Sequence, residues 1–212
     1  MVKVITGCNL CGPKPMTLVC EDRRRSFYMC GDCGMISVPQ RYWLSVDDER
    51  KRYDLHDNSV SNGGYVKFLS QIVDVLMPVS RPTMTALDFG CGENAVLCQL
   101  INDKGIDCCG YDPLYQHLLP DKNFDIIILC EVIEHIRDIN AELRLINKLL
   151  RDDGIVIIRT QIYGGPSVFP SWWYAQDPTH INFFSRQSLN KTARIISRQL
   201  KSTIHPDIFI LQ

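Results

Sequence analysis

The stretch Leu87-Asp-Phe-Gly-Cys-Gly-Glu-Asn94 decides the fold. An apolar run from Thr85 ends there in two glycines one residue apart, Gly90 and Gly92, and a helical pattern from Asn94 to Lys104 follows, closed by Gly105. Working outward, Ile106 to Asp112 reads as the next strand and Phe124 to Cys130 as another. A helix then carries Ile139, Leu143, Ile146 and Leu150 on one face, and an Asp153-Gly154 turn leads into Ile155 to Thr160. Strands alternating with helices dictate a parallel sheet with crossover helices. Upstream, Tyr65, Phe68, Leu69, Ile72 and Leu76 recur at helical spacing, with Ser61 or Asn62 as cap and Pro78 as stop. Downstream, Ser202 to His205 and Asp207 to Gln212 read as a closing hairpin.

In such a sheet, ligands bind beyond the carboxyl ends of the strands, where the first strand turns into its helix. Gly90 and Gly92 let the backbone approach a ligand closely, and Asp88 can order the turn. Asp112 ends the next strand twenty residues further on, where a carboxylate accepts both hydroxyls of a ribose. Together they point to an adenosine-type cofactor. A NAD site would need a third glycine opening the helix; Asn94 stands there instead.

The chain has 212 residues, 45% of them hydrophobic and 22% charged, which suits one α/β domain with a small appendage. Lys and Arg number 23 against 24 Asp and Glu, so no basic field announces a nucleic-acid partner. The longest apolar runs are too short to span a bilayer, and residues 1–10 lack the apolar core of a secretion signal. The expectation is a soluble, cytoplasmic protein whose ten cysteines are thiols or metal ligands rather than disulfides.

Four of those cysteines form two Cys-x-x-Cys pairs, Cys8 with Cys11 and Cys30 with Cys33. Two such turns complete a tetrahedral four-sulfur shell, the closed arrangement of structural zinc. Thr17 to Cys20 and Ser26 to Cys30 read as the strands of a zinc ribbon. Glu21 to Arg25 is then its hairpin tip, with Arg23, Arg24 and Arg25 as solvated charges and Cys20 as a buried small residue. A ribbon of about 30 residues cannot bury enough surface to fold without metal. A redox use is disfavoured, because that motif follows a strand of a thioredoxin-like unit and comes once. The chain therefore divides into a zinc ribbon at 1–40, a connector or lid at 41–64, with His56 and Asn58 over the cofactor, and the main domain at 65–212.

From about Tyr53 onward the chain resembles the class I S-adenosylmethionine (SAM)-dependent methyltransferases. The matching residues are Leu87 to Gly92 for the family's glycine loop, Gly110-Tyr111-Asp112 for its ribose-binding acid, Phe124 to His135 for its fourth strand, and Asp153 to Ile158 for its fifth. The resemblance implies a doubly wound, mostly parallel Rossmann-like sheet. It also implies that Asp88, Phe89, Gly90, Cys91 and Gly92 approach the methionine part of SAM. Asp112, with Pro113 beside it, would hold the ribose, and Cys130 and Glu131 would face the methyl group. Two departures stand out. Asn94 replaces the usual third glycine, which a left-handed backbone there would tolerate. Only Pro113 to Asn123 precedes Phe124, where the family fits a helix, a strand and a helix. The sheet is therefore expected to lack its third strand and to leave the adenine pocket more open.

Glu131, Glu134 and His135 are spaced i, i+3, i+4, and a helix starting near Glu131 would put them on one face. A later histidine, His180, lies among Trp172, Trp173, Tyr174, Phe183 and Phe184, which either wall a pocket or belong to the core. This pattern resembles the small-RNA 3′-terminal 2′-O-methyltransferases, where such groups hold magnesium, and a related motif occurs in methyltransferases acting on ubiquinone precursors. The plainer alternative has Glu134 capping a helix, His135 packed under the sheet and His180 bonded to a backbone carbonyl. With or without a metal, His180 is the first choice as catalytic base, with Asp177 and His135 behind it. Lys191, Arg194, Arg198 and Lys201 form a basic stripe on the last helix. The sequence thus points to a SAM-dependent methyltransferase acting on a small-molecule acceptor. Two alternatives remain: an RNA methyltransferase gripping its chain by ribbon and basic helix, and a non-catalytic adapter whose ribbon binds a protein.

Overall fold

The computed structural model describes residues 3–212. Among them run strands β1 (Val4–Cys8), β2 (Gly12–Glu21), β3 (Ser26–Cys30) and β4 (Ile36–Ser37), then helices α1 (Val46–Tyr53) and α2 (Gly63–Leu76). Strand β5 (Thr85–Phe89), helix α3 (Val96–Asn102), strands β6 (Asp107–Tyr111) and β7 (Phe124–Cys130), helix α4 (Ile139–Leu149) and strand β8 (Leu150–Arg159) follow. Strand β9 (Asn182–Phe183), helix α5 (Arg186–Ile195) and strands β10 (Leu200–Ser202) and β11 (Ile208–Leu211) complete the order.

The main sheet runs β10-β11-β8-β7-β5-β6. Strands β6, β5, β7 and β8 are parallel, and the β10–β11 hairpin joins β8 antiparallel. Alternate residues of β7 enter opposite layers, as the pleat requires. Ile126 and Ile128 pack with Leu69, Ile72, Val96 and Ile101 of α2 and α3. Ile127 and Leu129 pack with Leu143 and Ile146 of α4 and Leu189 of α5. Helices on both faces are why β7 is apolar throughout its middle rather than alternating.

Strand β6 is the edge of this sheet; a short turn at Pro113–Tyr115 stands where another crossover would begin. The edge is closed by a side chain instead. Asn102 donates to the Cys108 carbonyl (3.0 Å) and accepts from the Cys108 amide (2.9 Å), so this edge position offers no free pair of backbone groups.

The N-terminal strands form a second sheet, β1-β2-β3-β4-β9, whose last strand comes from the far end of the chain. Ile36 pairs with Phe183 and Ser37 with Asn182. Cys8, Leu10, Met16, Cys30 and Cys33 share one apolar cluster with Leu87 and Ile146, so the two sheets are joined by a common core.

Several local expectations are corrected. Residues 46–53 of the connector are helical: Ser45 accepts from the Asp48 amide, and acidic residues in the first turn precede basic ones in the last. Glu131 to His135 is a turn rather than a helix, with Glu131 at φ +54°, and helix α4 starts only where Asp138 caps it. The Asp153-Gly154 pair lies within β8, where the pairing with β7 slips register between Phe124 and Ile126. Helix α5 ends before Arg198, whose guanidinium donates to the carbonyls of Gly154, Arg151 and Asp152. The basic stripe is therefore not one helical face. Arg25 is buried rather than solvated. No helix among the described residues is long and apolar enough to cross a membrane.

Candidate active site

Strand β5 delivers Asp88 and Phe89 to the carboxyl edge of the sheet, and the chain then reverses through Gly90 and Gly92 at φ +86° and +67°. Both values lie where only glycine is at ease. A Cβ at Gly90 would sit 2.5 Å from Val132 Cγ2, so the 131–135 turn presses against this glycine; a Cβ at Gly92 would meet nothing within 4 Å. The Gly90 and Cys91 amides donate to the Tyr111 carbonyl (2.7 and 3.2 Å), binding the loop to the end of β6. Asp112, 7% exposed, accepts from the Gly92 amide (2.9 Å) on one oxygen and from the Leu114 amide (2.9 Å) on the other, so Pro113 opens a turn that Asp112 caps. Asp88 is buried; burial, then the Asp112 charge, push its carboxyl up to about 7. Asn94 does not take the left-handed conformation, which falls on Ala95 (φ +44°); the Asn94 side-chain Nδ2 donates to the Asn58 carbonyl (3.2 Å) and ties the connector to the loop. His56 makes no side-chain contact of this kind among the described hydrogen bonds.

Past Cys130, whose thiol burial pushes up, the chain turns back. Glu131 sits at a strained φ, with Oε2 3.0 Å from the Tyr174 hydroxyl oxygen and Oε1 buried without a partner. Burial raises its carboxyl to about 7. Glu134 is fully buried; it accepts a short hydrogen bond from Tyr174 and another from the Thr160 hydroxyl (3.1 Å). Burial, then Glu131, push its carboxyl well up. The histidines lie side by side, ring centroids 4.8 Å apart. His135 Nδ1 meets the Thr179 carbonyl (3.1 Å) and His180 Nδ1 meets the Tyr174 carbonyl (2.8 Å). Burial pulls both imidazoles down, His135 to about 4 with help from His180. Each neutral ring therefore carries its proton on Nδ1 and presents a lone pair on Nε2. Asp177 is different: burial raises its carboxyl, but the Thr179 hydroxyl and amide, His180 and Arg52 outweigh it and bring it to about 2.

Donor atoms of Glu134, His135 and His180 fall within 4.8 Å of one another, without Glu131. The set does not fit magnesium. Two of its three donors are nitrogen, both Glu134 oxygens are already hydrogen-bonded, and magnesium takes oxygen ligands and retains waters.

The four cysteines do converge. Their sulfurs lie within 4.8 Å of one another, and Cys8 Sγ is 3.7 Å from Cys33 Sγ. A tetrahedron with metal–sulfur bonds of about 2.3 Å has edges of about 3.8 Å, so the spacing suits zinc. The Cys11 amide donates to Cys8 Sγ (3.4 Å), and the Cys33 thiol beside it draws Cys8 down to about 5. Lys191 of α5 is turned toward Cys11, which raises its ammonium.

Two partners of the buried carboxyls, Thr160 and the Tyr174 hydroxyl, carry no motif of their own; a Tyr amid apolar residues near two acids is the only trace. Trp172, Phe183 and Phe169 pack together in the core, whereas Trp173 is exposed.

A glycine loop, an acid ending the next strand and a buried acid–imidazole cluster, all at the carboxyl end of a parallel sheet, define a cofactor-binding α/β enzyme. The family model described as "Methyltransferase domain" matches residues 63–194, and the chain belongs to that family. No curated protein matches it in sequence. Solved structures share the fold. An O-methyltransferase family protein from Burkholderia thailandensis is 12% identical over 78% of this chain and 61% of its own, with a TM-score of 0.57. A Pyrococcus horikoshii OT3 protein is 13% identical over 76% and 96%, TM-score 0.56. A mycolic acid cyclopropane synthase solved with S-adenosylhomocysteine (SAH) is 17% identical over 69% and 65%, TM-score 0.51. The chain spans 54%, 55% and 61% of the length of the first solved structures it matches.

Proposed function

We propose that the chain transfers a methyl group from SAM to a small-molecule acceptor. The observation that carries this is the loop itself: Gly92 at φ +67°, with open space above it, is held by Asp112 at the end of the neighbouring strand. Asp88, Phe89, Gly90, Cys91 and Gly92 would line the methionine side, Asp112 and Pro113 the ribose, and Cys130 and Glu131 the methyl. SAM supplies an electrophilic methyl on a sulfonium. His180, neutral at pH 7 with Nε2 free of the carbonyl bond, takes the acceptor's proton as the acceptor atom bonds to carbon and the carbon–sulfur bond breaks. His135 and the paired carboxyls hold the wall behind it. The four thiolates bind one structural zinc, with no open position for chemistry. Titration calorimetry of SAH into the zinc-replete protein tests this directly. One-to-one binding in the micromolar range is expected, and absence of binding would leave a methyltransferase fold without its cofactor.

A further inference from the structure

The segment that carries His180 is held by a residue from the opposite end of the chain. Between Tyr174 and His180, five backbone carbonyls are used by only three side chains. Tyr174 C=O meets His180 Nδ1, and Thr179 C=O meets His135 Nδ1. The other three belong to Arg25, at the tip of the β2–β3 hairpin. Its Nη2 donates to the Ala175 carbonyl (2.5 Å), and its Nη1 to those of His180 (2.8 Å) and Pro178 (3.4 Å).

Arg25 is 6% exposed, and among the described residues its guanidinium bonds to carbonyls and to no carboxylate. Burial lowers its affinity for its proton, while Asp22 and Asp177 act on it only through space. A buried cation without an ion partner is costly unless its donors are satisfied. Here three of the five are met by neutral oxygens of one loop. Only a planar fork of five donors reaches carbonyls at three separate positions; a lysine ammonium is a single point on a flexible stem. The fork is itself aimed: its carbon lies 5.1 Å over the Phe27 ring, which packs edge-on against Phe169 and Phe183. The Asp22 carboxylate accepts from the Arg24 and Arg25 amides (2.6 Å each) and fixes the tip from which the side chain leaves. Just past the loop, β9 pairs with β4, and the Val38 amide donates to the Ile181 carbonyl (2.9 Å).

We propose that Arg25 is a positioning residue for the acceptor side: by holding the carbonyls of Ala175, Pro178 and His180, it sets the loop that fixes the tautomer and direction of the His180 and His135 rings. The site is then incomplete without the N-terminal unit. The proposal rests on His180 serving the acceptor side, but it is decided independently of whether SAM binds.

The test uses the full chain, with histidine ring nitrogens observed by NMR in wild type, Arg25→Met and Arg25→Lys. Wild type should show both rings locked with the proton on Nδ1. In Arg25→Met, His180 should pass to a mixture of tautomers with faster ring exchange, and Arg25→Lys should lie between. SAH affinity, read at the glycine loop, should stay within about twofold, because Arg25 makes no hydrogen bond to that loop. Unchanged His180 and His135 ring signals in either folded variant would overturn the proposal. So would a loss of SAH affinity in step with the ring changes, since that reports general loosening rather than positioning. Should Arg25→Met fail to fold, Arg25→Lys decides alone. If wild type itself fails to bind SAH, the functional reading falls while the ring signals still judge Arg25.

Discussion

Replacing Asp112 should cost cofactor affinity through two routes that two variants separate. The carboxylate ends β6 at 7% exposure, with one oxygen on the Gly92 amide and the other on the Leu114 amide. A carboxylate oxygen has room for a second donor, so a ribose diol can bind without displacing either amide. Hydrogen bonds to a charged group contribute about 1.5–3 kcal/mol, so Asp112→Ala should weaken SAH by roughly 10- to 150-fold. The same change orphans the Gly92 amide and loosens the loop. Asp112→Asn keeps one acceptor for Gly92 but loses the charge and the Leu114 bond; it should give a smaller drop in affinity and a smaller loss of apo stability than Asp112→Ala. Calorimetry gives both affinities, and thermal melts of the apo proteins report the loop, about 2–4 °C per kcal/mol at this size. Affinities within twofold of wild type for both variants would refute the assignment of the ribose to Asp112.

Gly90→Ala should be severely destabilising, because its Cβ would meet Val132 Cγ2 at 2.5 Å and φ is +86°. The left-handed backbone costs about 1–2 kcal/mol and overpacking about 1–3; adding Val132→Ala should restore the packing part, and a double mutant no better than the single in urea unfolding would reject the clash. Elemental analysis should find one zinc per chain, and chelation should open the hairpin so that trypsin cuts at Arg25, which is 6% exposed in the fold. A metal-free protein equally resistant to trypsin would remove the zinc. Asp88 predicts a pH dependence: its folded carboxyl lies at about 7 against about 3.9 unfolded, so the folded state keeps a proton that the unfolded state loses. Its stabilising effect is therefore present at low pH and is lost as pH rises from about 4 through 7, with a slope of at most about 1.4 kcal/mol per pH unit. Asp88→Asn, which mimics the neutral form, should gain on wild type between pH 5.5 and 7.5; parallel urea curves would dismiss the shift.

What the sequence disclosed was what repeats or must be glycine. β5 through β8 follow from apolar runs between turn residues, the missing third strand from the eleven residues 113–123, and the four-sulfur cluster from two spaced pairs. What it hid was backbone-mediated. Nothing in Arg23-Arg24-Arg25 says that the third side chain turns inward to carbonyls 150 residues away. The i, i+3, i+4 pattern at Glu131, Glu134 and His135 is a helical signature, yet Glu131 at φ +54° cannot start a helix. The turn wins because Glu134 gains Tyr174 and Thr160 as partners inside the core, which a helical face would not have offered. Helix α1 was legible in hindsight: Ser45, then acids, then bases, is capping and dipole chemistry without any apolar stripe.

The lost strand and the added sheet act at opposite ends of the site. On the side of the glycine loop, closure depends on single polar contacts at the surface: Asn94 to the Asn58 carbonyl (3.2 Å), Tyr115 to Asp54 (2.8 Å) and His117 to the Glu93 carbonyl (3.0 Å). The two to carbonyls are worth about 0.5–1.5 kcal/mol each, and Leu118 beside them is 85% exposed. On the other side, the 174–183 segment is largely buried, hydrogen-bonded at five carbonyls and paired to β4. Under the proposed function, the soft end would meet the cofactor, whose contacts would order 54–58 and 113–119. The stiff end would then meet the reacting atom, where displacement is least tolerable, because methyl transfer needs the nucleophile in line within about 3–3.5 Å. That division would explain why a chain with a shortened sheet keeps an N-terminal unit wired into residues 174–183.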